Sequence, residues 1–72
     1  MTTFADRLTA LRTRLGLSDA ALARYLGVPN PTLAKWLRGE RQPPAVALRL
    51  VEVLSMIEWM APEVHAALIA SK

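Results

Sequence analysis

Pro29 and Pro31 bracket Asn30 only two residues after Gly27, and this short run constrains the fold more than any other part of the chain. Proline has no backbone N–H and restricts the residue before it, so no helix runs through residues 27–31. On either side the apolar residues recur at helical spacing. Phe4, Leu8, Leu11 and Leu15 share one arc before Gly16. Leu22, Ala23 and Leu26 share another before Gly27. Leu33, Trp36 and Leu37 share a third before Gly39, opposite Pro31, Ala34, Lys35 and Arg38. No alternating strand pattern interrupts them. The chain reads as short helices separated by glycine and proline.

The ends of these helices are also written locally. Ser18 is a good N-cap with Asp19 in the first turn, where the helix dipole favours an anion. Asn30 reads as an N-cap with Pro31 at the first helical position. Pro43 and Pro44 open a fourth helix over about 44–60, and Pro62 starts a fifth over 62–70. An all-α, five-helix domain spanning 1–72 is the expectation.

The 72 residues allow one small domain. Cysteine is absent and His65 stands alone, so disulfides, thiolate sites and histidine-built metal sites are not expected, nor is any cofactor. No charge-free run is long enough to span a bilayer, and no signal-peptide pattern opens the chain, so a cytoplasmic protein is expected. Catalysis needs a nucleophile, an acid/base pair or a metal cluster. One histidine and scattered carboxylates do not supply these, and an enzyme is not expected.

Charge divides the chain. Residues 1–44 carry Arg7, Arg12, Arg14, Arg24, Lys35, Arg38 and Arg41 against Asp6, Asp19 and Glu40, a net of +4. Residues 45–72 carry Arg49 and Lys72 against Glu52, Glu58 and Glu63, a net of −1, and are mostly apolar. A basic front suits a polyanion, and a greasy rear suits packing or self-association.

Residues 19–38 fit a helix-turn-helix. Ala23 is small where two helices would cross, Gly27 permits the sharp reversal, and Leu22, Leu26, Val28, Leu33 and Trp36 face a shared core. The segments Leu17-Ser18-Asp19-Ala20-Ala21-Leu22-Ala23, Leu26-Gly27-Val28 and Leu33-Ala34-Lys35-Trp36-Leu37-Arg38-Gly39-Glu40-Arg41 resemble the Cro/C1-type (XRE) DNA-binding domains. The resemblance covers about residues 4–60. It implies a five-helix, lambda-repressor-like fold and a bacterial or phage transcriptional regulator. Small members of this kind repress their own operon, and antitoxins use the same domain.

The resemblance implies base contact from Asn30, Pro31, Thr32, Ala34 and Lys35 on the third helix. Lysine can donate to guanine, asparagine can pair with adenine, and Thr32 or Ala34 can touch a thymine methyl. Ser18, Arg12, Arg14, Arg38 and Arg41 are the expected phosphate contacts. Three positions depart from the family pattern. Asp19 stands where a neutral donor is common and would repel phosphate, so helix stabilisation is its expected role. Asn30 can cap its helix or read a base. Leu37 replaces a common glutamate that would pair with Arg12, which leaves Arg12 to face solvent or phosphate.

Other residues read as structural. Trp36 belongs to the core, Tyr25 is structural with a hydroxyl that can reach a phosphate, and His65 is a surface or rim residue. Val46, Ala47, Leu50, Val51, Leu54 and Ile57 complete the core from the fourth helix. The surplus apolar residues Val53, Met56, Trp59, Met60, Val64 and Leu68 read as a homodimer interface, unless the last helix folds over them. The expected function is a dimeric repressor on an inverted repeat of double-stranded DNA. The alternative is an antitoxin-like or adaptor domain whose apolar rear binds a second protein. RNA binding is disfavoured, because single-strand readers expose aromatics and the four here are expected to be largely buried.

Overall fold

The computed structural model describes residues 3–70. Five helices follow one another: α1 (Phe4–Leu15), α2 (Asp19–Leu26), α3 (Asn30–Leu37), α4 (Ala45–Met60) and α5 (Pro62–Ala70). No strand occurs among the described residues.

Local chemistry sets most of the ends. Thr3 Oγ1 accepts the Asp6 N–H at 3.1 Å, and the Asp6 carboxylate accepts the Thr3 N–H at 3.4 Å. This reciprocal box satisfies two donors that the start of α1 would otherwise leave unpaired. Ser18 Oγ does the same for α2, accepting the Ala21 N–H at 3.1 Å. Gly27 ends α2 with φ 77°, a left-handed conformation that costs a side-chain-bearing residue about 1–2 kcal/mol. There the Gly27 and Val28 N–H groups both donate to the Ala23 carbonyl, at 2.9 and 3.0 Å. The chain turns sharply into α3.

Asn30 does not cap α3. The N-cap is Pro29, no side chain caps the helix, and Asn30 is already inside its first turn. The extended backbone of Pro29 (φ −63°, ψ 146°) is the non-helical geometry a cap position requires, so the break falls one residue earlier than expected. At the other end Ala61 (φ −152°, ψ 68°) separates α4 from α5, and Pro62 prevents one helix from running through.

The core joins Leu8 and Leu11 of α1, Leu22 and Ala23 of α2, Leu33 and Trp36 of α3, and Ala47, Val51 and Leu54 of α4. Phe4 meets Trp36 edge-on, with centroids 5.7 Å apart and planes at 83°. α1 packs against both α3 and α4, α2 against α3, and α5 against α4. The arc that α4 buries is narrower than expected. Val46 and Leu50 are exposed and Ile57 is only partly buried. Ala47, Val51 and Leu54 form one stripe, and at about 100° per residue Val46 is turned well away from it.

His65 is a second correction. It is 2% exposed, not a rim residue. Its Nε2 lies 2.9 Å from the Leu54 carbonyl oxygen, and its Nδ1 lies 2.5 Å from the Tyr25 hydroxyl. Tyr25 is therefore committed inward and is not offered to phosphate. α5 folds back on α4 through this histidine, yet Val53, Met56, Trp59 and Met60 stay exposed. Trp59 departs from the expectation that all four aromatics are largely buried.

Candidate nucleic-acid interface

α2 and α3 present a surface built from their own exposed sides. Leu33 and Trp36 turn α3 inward, which leaves Asn30, Pro31, Lys35 and Arg38 exposed, with Thr32 and Ala34 half-buried beside them. The Asn30 and Lys35 side chains make no hydrogen bond or ion pair among the described residues. Capping makes no claim on Asn30, whose amide is left with both donor and acceptor available. Ser18 is exposed at the start of α2, its oxygen accepting from Ala21 and its hydroxyl hydrogen still available to donate.

The basic residues around this surface are not equivalent. Arg12 is held by Asp19, with Nη1 2.5 Å from Oδ1. It is not free to face solvent, as the apolar Leu37 had suggested. Asp19 supplies the carboxylate instead, from the start of the next helix. Arg38 is gripped by Glu40 in two-point fashion, Nε to Oε2 at 2.7 Å and Nη2 to Oε1 at 3.1 Å. The hydrogen bonds from Arg38, with the charges of Arg38 and Lys35 behind them, hold the Glu40 carboxyl below its ordinary range. The same pairing raises the Arg38 guanidinium further above an already high value.

Arg14 lies elsewhere. It lines a groove between α1 and α4 with Asp6, Arg7, Arg49 and Met56, so it does not join Arg12 at the corner of α1 and α2. Arg41 is exposed just beyond the Arg38–Glu40 pair and has no ion-pair partner among the described residues. The structure thus gathers Asn30, Pro31, Thr32, Ala34, Lys35, Arg38 and Arg41 around α3. Ser18 and the Arg12–Asp19 pair stand at the start of α2, and Arg14 is set apart. Glu40 is the participant that sequence reasoning missed. It follows the end of α3, outside helical periodicity, so no spacing rule linked it to Arg38.

Two helices packed through Leu22, Ala23, Leu33 and Trp36 across a left-handed glycine turn define a helix-turn-helix protein. The family model described as helix-turn-helix matches residues 8–56, and the chain belongs to that family, the Cro/C1 or XRE type, whose domains are DNA-binding transcription regulators. Comparison with curated proteins and with solved structures brought no match. No helix among the described residues is long and apolar enough to cross a membrane.

Proposed function

We propose that this chain is a sequence-specific transcriptional repressor that binds double-stranded DNA as a homodimer and controls its own operon. The observation that carries the reading is the exposed side of α3, where the Asn30 and Lys35 side chains make no hydrogen bond or ion pair among the described residues and Lys35 feels only the nearby charge of Glu40. Unengaged amide and ammonium groups on a helix of this kind suit base edges in the major groove. Asn30, Pro31, Thr32, Ala34 and Lys35 would face the bases. Ser18 and Arg41 would grip phosphate, Arg12 and Arg38 would have to exchange a carboxylate for it, and Arg14, set apart in the α1–α4 groove, would add only longer-range attraction. Repression would follow from occupying a promoter.

A two-fold dimer would read an inverted repeat with half-sites about one turn, roughly 34 Å, apart. The exposed apolar residues Val53, Met56, Trp59, Met60, Val64 and Leu68 support self-association. The same patch favours a second reading, an antitoxin-like or adaptor domain bound through its rear to another protein.

Fluorescence anisotropy with duplex DNA from upstream of the chain's own gene tests the reading, with scrambled competitor present and salt near physiological strength. Binding that survives competitor is expected. Binding that ignores sequence, both there and in a random-sequence selection, would replace the repressor with the interaction domain.

A further inference from the structure

The outer side of α4 carries a seam that neither the core nor the DNA-facing surface uses. Val46, Arg49, Val53, Met56 and Met60 follow one another at steps of three, four, three and four residues. That alternation keeps one narrow stripe in line along a helix and is the spacing by which two helices interlock. The stripe is bare. Val46 is 75% exposed, Val53 44%, Met56 60% and Met60 73%, and Trp59 beside it is 79% exposed. The buried stripe of the same helix, Ala47, Val51 and Leu54, faces the opposite way. α5 covers neither the seam nor Trp59. Most of α4 lies within the family match, but Trp59 and Met60 lie beyond its end at residue 56.

We infer that this seam receives the α4 seam of a second copy of the chain, the two helices running antiparallel about a two-fold axis between Val53 and Met56. The inference rests on the homodimer proposed above and adds its geometry. Charge chooses the direction. In a parallel pair each Arg49 would meet the partner's Arg49 inside the seam. Like charges opposed in this way are repelled. In the antiparallel pair Arg49 lies across from the partner's Met60, and the two Arg49 side chains stand roughly 17 Å apart along the helices. The Arg49 side chain is 80% exposed, and its one ion-pair partner among the described residues is Glu52, one turn away at 3.5 Å.

Size agrees with the same occupant. The five exposed apolar side chains present on the order of 600 Å² per copy, against about 800 Å² per partner in an interface of standard size. The Arg49 stem and the exposed edge of Leu50 extend the patch. A two-fold contact buries this surface on both copies at once and leaves no open seam to propagate a chain of subunits.

The absence of cysteine makes the arrangement directly testable. Light scattering on the full chain is expected to give the dimer mass, and Met56→Arg the monomer mass with an unchanged helical circular dichroism spectrum. Val53→Cys and Met56→Cys proteins, mixed and treated with a short bis-maleimide, are expected to give the mixed cross-linked dimer. Met60→Cys is expected not to link to itself, since the two Met60 positions would lie roughly 17 Å apart along the helices at 1.5 Å per residue. A dimer in which Met60→Cys does link to itself would make the seam parallel and overturn the inference while the dimer stands. A dimer with no cross-link at any seam position would move the interface elsewhere. A monomer mass for the unaltered chain would remove the dimer and the seam together, and would give the patch to a different protein.

Discussion

The Tyr25 hydroxyl and the His65 ring, forty residues apart in the chain, lie 2.5 Å apart and tie α2 to α5. The arrangement fixes the tautomer. A carbonyl oxygen can only accept, so His65 Nε2–H donates to Leu54, and Nδ1 is left to accept the Tyr25 hydroxyl. Removing the hydroxyl with Tyr25→Phe is expected to cost about 1 kcal/mol, and His65→Ala about 2–3 kcal/mol, because it also opens a cavity and strips a buried group of its partners. Urea denaturation followed by circular dichroism measures both. Equal effects for the two variants would mean that neither the packing of the ring nor its bond to the Leu54 carbonyl contributes.

The same tyrosine predicts a pH dependence. Partial burial raises its pKa above 10.0 by disfavouring the phenolate. The protonated form is the one the fold favours. Its contribution is therefore fully present below the unfolded value near 10 and is lost as pH rises through the higher folded value. Tyr25→Phe cannot ionise, so the stability gap between it and the unaltered chain should narrow above about pH 10. Urea midpoints of the two proteins, taken in parallel from pH 8 to 11, test this, and a gap that stays constant would refute it.

Legibility in the sequence followed the range of the interaction. The five helices were readable because glycine and proline act within a few residues, and Leu8, Leu11, Leu22, Ala23, Leu33 and Trp36 were readable because periodicity declares a buried face. Asn30 was misplaced by one residue, since Pro29 and Asn30 both fit the cap and only the backbone of Pro29 decides between them. Val46 and Leu50 read as core in the sequence because an apolar face and an apolar seam look alike in a helix that has both. The His65–Tyr25 bond and the Arg12–Asp19 pair are tertiary, one across forty residues and one around the corner between two helices. No local rule reaches that far. The surface of α3 was legible in its residue types, but the partners that engage Arg12 and Arg38 were not.

Gly27 offers a clean measure of the turn. A Cβ added there meets nothing within 4 Å, so the cost of Gly27→Ala is conformational and not steric crowding by neighbours. With φ at 77° that cost is expected to be about 1–2 kcal/mol. Thermal or urea denaturation would show it, and DNA binding measured well below the transition should change little. A variant of unaltered stability would mean that the turn relaxes to another conformation at no expense.

Lys35 should separate base reading from general attraction to DNA. Lys35→Ala is expected to weaken binding by about 1–3 kcal/mol and to relax the preference at one base pair. Anisotropy titrations against a panel of single-base operator variants supply the measurement. A uniform loss over every sequence would instead make Lys35 a phosphate contact, and it would then also flatten the salt dependence by about one unit of slope.

Glu40 should act in the opposite sense. It occupies two donors of Arg38 that a phosphate would otherwise take, at 2.7 and 3.1 Å, and it places a negative charge beside Lys35. Both groups of the pair are exposed, so solvent and salt already weaken their attraction, and releasing Arg38 costs the fold little. Glu40→Gln is therefore expected to leave the urea midpoint nearly unchanged while tightening DNA binding roughly twofold to fivefold. The gain should be similar on specific and scrambled duplexes, because phosphate contacts carry no sequence information. It should shrink as potassium chloride is raised, with the slope of log K against log salt steeper by about one. Weaker binding to the specific duplex alone would show that Glu40 positions Arg38 for the operator and does not withhold it.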